Sequence, residues 1–256
     1  MLKPFIYIAA LRRTGSKVLS EALSLAPHSF IFLEPKLGSG VFKAKPVEVE
    51  VFKKHGIDLP AFQKQLSEAK SKYAVEYFKE KILPELLKVF KQIGIKEIHH
   101  KHWRNVYNAF PNMKVILTAR DPRDIYLSLY HKSVERKKEI NVGGLFTPKN
   151  LALNLKEDFE HQMEMFNTTA CLKVKYEDFC ADSKVLEQIK KFVESDIPEI
   201  GMIGQLSKFD HLVHGYQITD KRVYRWKSEP DKRLLAEAQE VFDNLKDYCK
   251  FWDYKK

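Results

Sequence analysis

Residues 4–25 read PFIYIAALRRTGSKVLSEALSL. Pro4 to Ala10 is a short apolar run rich in β-forming residues, the pattern of a strand buried on both faces. Leu11 to Lys17 is a polar turn with one glycine. From Val18 to Leu25 the apolar residues recur at helical spacing, and Pro27 closes the helix. The unit is therefore a strand, a basic turn and a helix. Such a turn is built to cradle an anion. Backbone N–H groups at the helix start face the ligand, and Gly15 permits close approach. Arg12, Arg13, Thr14, Ser16 and Lys17 add cations and hydroxyls. An ordinary basic turn has the same composition, so this segment alone leaves both readings open. The nucleoside-triphosphate loop GxxxxGK[ST] does not fit: Ala10 stands five residues before Gly15, and Ser16 lies between Gly15 and Lys17.

The rest of the chain repeats the alternation. Strands are expected at Phe30 to Leu33, Ile95 to His100, Lys114 to Ala119 and Ala170 to Lys175. Helices are expected over 61–92 with an interruption near Pro84, and over 122–136, 149–166, 182–193 and 231–251. Asp121 is the expected cap of the second of these, with Pro122 at its first position. Residues 36–60 read as loop with short helices, Gly143 and Gly144 mark a further loop, and 197–230 read as irregular. No internal repeat or linker is visible. This order predicts an α/β, P-loop-like three-layer fold with a central, largely parallel β-sheet flanked by helices, formed by residues 1–256 as a single domain.

The chain has 256 residues, 44% of them hydrophobic, and a formal charge of +10. It is long enough for a substantial core, and the charge favours anionic partners such as nucleotides, nucleic acid, headgroups or acidic glycans without choosing among them. Cys171, Cys180 and Cys249 are widely spaced and form no zinc or disulfide pattern. No run of about 18 apolar residues predicts a transmembrane helix. The apolar stretch Phe5 to Leu11 is short for a signal peptide and runs into Arg12 and Arg13. A reducing, cytoplasmic location is the expectation.

Three more segments carry candidate chemistry. In Arg120-Asp121-Pro122-Arg123-Asp124, Arg120 ends a strand, where α/β folds bind ligands, and Ser128 lies on the first turns of the next helix. An arginine and a hydroxyl so placed can converge on one phosphate. The two aspartates can equally cap the helix and pair with the arginines. Lys175-Tyr176-Glu177-Asp178-Phe179 again ends a strand, and Tyr176 can stack on a base or pack in the core. Lys221-Arg222-Val223-Tyr224-Arg225-Trp226-Lys227 interleaves cations with aromatics, which clamp phosphate and purine or form a solvated loop anchored by Trp226.

Taken in order, these four segments resemble the PAPS-dependent sulfotransferase superfamily along nearly the whole chain. PAPS is 3′-phosphoadenosine 5′-phosphosulfate. A family loop like R/K-[ST]-G-[ST]-[TK] is matched by Arg13-Thr14-Gly15-Ser16-Lys17, which the resemblance assigns to the 5′-phosphosulfate. A motif like R-[ND]-P-[RK]-D-x-x-x-S is matched from Arg120 to Ser128, assigned to the 3′-phosphate. A Y-E-D-[LMF] motif places Tyr176 at the adenine, and an R-W-[KR] segment closes Arg225, Trp226 and Lys227 over the nucleotide. Lys17 replaces the commoner threonine. The R-K-G triplet of cytosolic members is absent, and Lys221 and Arg222 are the cations nearest to its role.

The resemblance implies in-line transfer of a sulfuryl group to an acceptor hydroxyl, with 3′-phosphoadenosine 5′-phosphate as product and no metal required. Arg13 and Lys17 are the candidates to stabilise the leaving phosphate. Glu34 is the first candidate base, because Glu34-Pro35 resembles the E-P dipeptide of several carbohydrate sulfotransferases. The runner-up is His99-His100-Lys101-His102. The family's K-x-H is broken there, since Trp103 stands two after Lys101, but His102 or His100 can substitute and Lys101 can touch the sulfonate. The same Glu34-Pro35 likeness favours a carbohydrate or glycolipid acceptor, met by variable loops at 36–60 and 137–150. Nucleic acid is not an expected partner, and the oligomeric state is not legible. A P-loop kinase and a non-catalytic anion-binding protein are the competing readings.

Overall fold

Five parallel strands form the centre of the computed structural model, which describes residues 3–68, 74–135, 147–198, 218 and 220–255. They are β1 (Ile6–Ala10), β2 (Ser29–Leu33), β3 (Gln92–Glu97), β4 (Lys114–Ala119) and β5 (Ala170–Lys175), in the order β2-β3-β1-β4-β5. Every residue of β1 is buried, as an unbroken apolar run requires. Its side chains alternate between two cores. Tyr7 and Ala9 join Phe30, Phe32, Ile95 and Leu117 on one side of the sheet, whereas Ile6, Ile8 and Ala10 join Ile31, Ile116 and Val174 on the other. The α/β fold with a parallel sheet covered on both faces is the one the alternation predicts.

The covering helices are α1 (Ser16–Ala22), α2 (Pro46–Lys53), α3 (Leu59–Glu68), α4 (Ala74–Tyr77), α5 (Leu83–Leu86), α6 (Trp103–Ala109), α7 (Pro122–Glu135), α8 (Pro148–Thr168), α9 (Tyr176–Ala181), α10 (Ser183–Phe192), α11 (Lys232–Asp243) and α12 (Lys246–Trp252). Helix α1 packs its Leu19 and Ala22 in the core beneath β1, and α11 sets Leu234, Ala238 and Val241 into the opposite core. A π-turn over Phe78–Ile82 joins α4 to α5 just before Pro84, whose missing N–H explains the interruption read in the sequence. Strand β3 runs from Gln92 to Glu97, three residues earlier at each end than expected, because its pairing with β2 begins at Gln92, whose side-chain amide donates to the carbonyls of Pro4 and Val193. The helix expected over 231–251 divides at Asn244 into α11 and α12. Gly143, Gly144 and most of the loop expected at 137–150 lie outside the described residues, as do 199–217 and 219 of the segment read as irregular. Among the described residues no helix is long and apolar enough to cross a membrane.

Strand β1 lies between β3 and β4. The chain leaves β1 for the β2 side of the sheet and leaves β4 for the β5 side, so a crevice opens where these two carboxyl ends diverge. Two bonds pin it. Thr14 Oγ1 and Thr118 Oγ1 share a hydrogen bond of 2.7 Å, and Gln162 of α8 donates to the carbonyls of Ala9 (2.8 Å) and Thr118 (3.3 Å).

The same close packing fixes Gly94 in β3, paired with Ile6 of β1 and Ile31 of β2. A Cβ there would stand 2.7 Å from Ile31 Cδ1, Ile6 Cβ and the Ile6 carbonyl oxygen. Gly94→Ala is expected to destabilise the fold by about 1–3 kcal/mol, the usual effect of overpacking. Urea denaturation checks this, and an unchanged midpoint would contradict the packing described.

Candidate active site

The crevice widens into an open cleft of about 620 Å³. The loop between β1 and α1 supplies one wall. Arg13 is left-handed (φ 66°), as is Gly15 (φ 72°), so the loop doubles back on itself. Gly15 cannot be larger: a Cβ would lie 2.3 Å from Cδ2 of Tyr176, which enters from the start of α9. The Tyr176 ring also lies 4.5 Å from the guanidinium carbon of Arg120. Arg13 Nε donates to Ser128 Oγ of α7 at 2.8 Å, and Arg120 Nη1 donates to the Arg13 carbonyl at 3.3 Å. Arg13, Thr14, Gly15, Ser16, Lys17, Arg120, Ser128, Tyr176 and Arg222 thus line one cleft.

The second segment caps the helix and pairs its charges, as one of its two readings has it. Asp121 Oδ1 accepts from the Arg123 backbone N–H at 2.9 Å, capping α7, and its carboxylate takes the Arg123 guanidinium at 2.9 and 2.7 Å. Asp124 pairs with Arg120 at 3.3 Å. Both ion pairs are buried with their charges matched, which is how such groups are tolerated away from water. Arg120 and Ser128 remain on the cleft wall. Arg120 Nε is buried with no hydrogen-bond partner among the described residues.

The C-terminal segment is only partly in the cleft. The Arg222 carbonyl accepts from Arg120 Nη2, and Arg222 lines the wall. Trp226 instead lies over Arg123, 3.6 Å from guanidinium carbon to ring centroid, and its backbone N–H donates to Asp124 Oδ1 at 3.1 Å. Trp226, Arg225 and Lys221 are not among the residues that line the cleft.

Glu34 ends β2 in a left-handed conformation (φ 57°) and lines the cleft. Its carboxylate lies 2.5 Å from Lys96 Nζ. Burial alone would raise the Glu34 carboxyl, but the charge and hydrogen bond of Lys96, helped by Lys45 and His99, bring it below its ordinary value. It is ionised at neutral pH. Burial also lowers the Lys96 ammonium, against the pull of Glu34.

The histidine cluster is not brought to the cleft. Lys101 and His102 are exposed, and neither lines it. Lys101 faces a smaller cavity of about 220 Å³ with His99, His100 and four residues of α8. His100 is fully buried between the Tyr7 hydroxyl (3.4 Å) and the Ala10 carbonyl (3.1 Å), and burial lowers its pKa to about 4. The lysine of this strand end that reaches the cleft is Lys96, with Ile98 two residues on. Lys45, Lys96 and Lys132 are cleft residues that sequence reasoning missed. For Lys96 there was a signal: a lysine inside a buried apolar strand needs a partner. Among the described residues no group of His, Cys, Asp and Glu is arranged to hold a metal ion.

A sequence profile described as the sulfotransferase family matches residues 4–199. Among solved structures, a sulfotransferase domain from the curacin biosynthetic pathway is 13% identical with a TM-score of 0.60, covering 99% of both chains. A sulfotransferase from Alicyclobacillus acidocaldarius is 14% identical with a TM-score of 0.53, over 98% of this chain and 97% of that one. A mouse sulfotransferase complexed with PAP is 14% identical with a TM-score of 0.54, over 98% and 89%. At these identities the likeness is one of fold. No curated protein sequence matches the chain.

His100 gives the fold a pH dependence. The unfolded imidazole takes a proton below about pH 6.5, whereas the native one refuses it until about pH 4. Its contribution is full above pH 6.5 and is lost as pH falls toward 4. Between pH 7 and pH 5, His100→Gln should lose about 2 kcal/mol less stability than the wild type. Urea titrations at the two pH values measure this, and parallel losses would contradict a neutral buried imidazole.

Proposed function

The chain belongs to the sulfotransferase family, and we propose that it moves the sulfuryl group of PAPS to an acceptor hydroxyl in the cleft beside β1 and β4. One observation carries this reading. Segments 115 residues apart meet through the Arg13–Ser128 hydrogen bond, and Arg120 and Tyr176 stand beside them. The mouse structure complexed with PAP supports the nucleotide as donor. So does the Arg120 Nε donor, which needs an acceptor.

Bound PAPS supplies an activated sulfuryl group on a phosphate leaving group. Arg13 and Lys17 face the charge that builds on the leaving 5′-phosphate. Arg120 and Ser128 grip the 3′-phosphate, with Arg222 adjacent, and Tyr176 packs at the adenine. Glu34, ionised by Lys96, takes the proton of the attacking hydroxyl. Side-chain cations, fixed before the reaction, supply the electrostatic stabilisation.

For the acceptor we propose a carbohydrate or glycolipid hydroxyl. Lys45, Pro46, Val47, Leu129 and Lys132 also line the cleft, and this mixed polar and apolar lining suits a hydroxyl-rich ring. Cys171, Cys180 and Cys249 form no disulfide among the described residues, which supports a reducing, cytoplasmic compartment.

The test is transfer from radiolabelled PAPS to a panel of sugars, glycolipids, phenols and steroids, in excess EDTA. Label should pass to a hydroxyl without added metal, and Glu34→Gln should lower turnover roughly 10²–10⁴-fold with donor binding intact. Activity abolished by EDTA and restored by magnesium would overturn the mechanism. Near-normal turnover in Glu34→Gln would remove Glu34 from the base role.

A further inference from the structure

Two buried carboxylates that touch neither cleft nor reactant surround the bend at Glu34. The chain leaves β2 through Glu34 (φ 57°), Pro35 and Lys36 (φ 60°), so two side-chain-bearing residues in this bend are left-handed. Such a conformation persists only where its surroundings over-determine it. Here the surroundings are explicit. Leu33 N–H donates to Glu48 Oε1 at 2.6 Å, and Lys45 N–H donates to Glu48 Oε2 at 2.6 Å. Lys36 N–H donates to Glu97 Oε1 at 2.7 Å. Glu34 N–H itself donates to the Lys96 carbonyl at 2.7 Å.

We infer that Glu48 and Glu97 are positioning residues, whose carboxylates hold the bend that aims Glu34 into the cleft. The inference rests on Glu34 being the base. Glu48 has no exposed surface and Glu97 only 7%, and neither lines the cleft. A carboxylate in such a place weakens the fold relative to an apolar residue of the same volume, unless its bonds fix something needed. What these bonds fix is the backbone on either side of Glu34. Lys96 holds the Glu34 side chain, and the next residue, Glu97, holds the backbone two residues beyond it. The end of β3 therefore grips the base twice. Burial raises both carboxyls to about 7, against the backbone hydrogen bonds that favour ionisation.

The test is a double-mutant cycle at pH 8, where both carboxyls are ionised. It reads label transfer from PAPS to the best acceptor of the panel, or to water where none is used. Glu48→Gln and Glu97→Gln are each made alone and with Glu34→Gln, and amide exchange is followed at Leu33, Lys36 and Lys45. Each single variant should lower kcat about 10- to 100-fold, the scale of a misplaced catalytic group. The acceptor KM and the dissociation constant of PAP should stay within about twofold, which also reports that the variant is folded. Exchange should quicken at Leu33 and Lys45 in Glu48→Gln and at Lys36 in Glu97→Gln. Added to Glu34→Gln, neither substitution should lower kcat further, because a residue acting through another loses its effect when that one is gone. Losses that multiply in the double variants, or an unchanged kcat in both single variants, would overturn the inference. If Glu34→Gln alone keeps its kcat, the base assignment falls instead. The exchange rates then still decide whether the carboxylates hold the bend.

Discussion

The hydrogen bond from Arg13 Nε to Ser128 Oγ joins the two halves of the site, and the rest of the cleft depends on it. It spans the crevice between β1 and β4, at the level where Thr14 and Thr118 already share a hydrogen bond. Arg120 completes the link by donating to the Arg13 carbonyl. A loop with Arg13 and Gly15 both left-handed is held in one shape by these contacts from β4 and α7. Tyr176 closes it from the start of α9, after β5, packed where only a glycine leaves room. The sheet order is what brings these segments to one place.

The charge distribution of the cleft follows from the same arrangement. Cations come from the first loop, from Lys45, Lys96 and Lys132, and from Arg120 and Arg222, while Glu34 is the acid that lines it. The arginines of the second segment are not interchangeable. Arg123 is held by Asp121, beneath Trp226 and Phe242, and supports the helix. Arg120 keeps a donor without a partner among the described residues, and it lines the crevice. In such a setting a carboxylate remains ionised although burial opposes it, and that is the state of Glu34.

Much of this was legible in the sequence, for physical reasons. Strands β1 and β4 are buried on both faces, so they read as unbroken apolar runs, and the loops that follow them stand out by contrast. The Arg120–Ser128 spacing is local to one strand end and one helix, which sequence preserves. What was not legible depends on partners far along the chain. Lys96 is explained by Glu34, 62 residues away. Trp226 reads as a nucleotide-facing aromatic until Arg123 is seen beneath it. The histidine run after β3 stands where the family it resembles carries K-x-H, yet His100 is committed to Tyr7 and Ala10 inside the fold. The bend after Glu34 was invisible, since Glu48 and Glu97 have no motif that marks a carboxylate bonded to distant backbone.

The central claim is that the crevice between β1 and β4 grips a nucleotide by its 3′-phosphate through Ser128 and Arg120. Isothermal titration of the wild type and Ser128→Ala with 3′-phosphoadenosine 5′-phosphate and with adenosine 5′-monophosphate tests it most directly. The account predicts that the bisphosphate binds the wild type far more tightly. Ser128→Ala should weaken the bisphosphate by about 1–3 kcal/mol more than the monophosphate, as for a lost bond to a charged group, because the monophosphate loses only the brace from Ser128 to Arg13. Equal weakening of both nucleotides, or equal affinity of the wild type for the two, would contradict it.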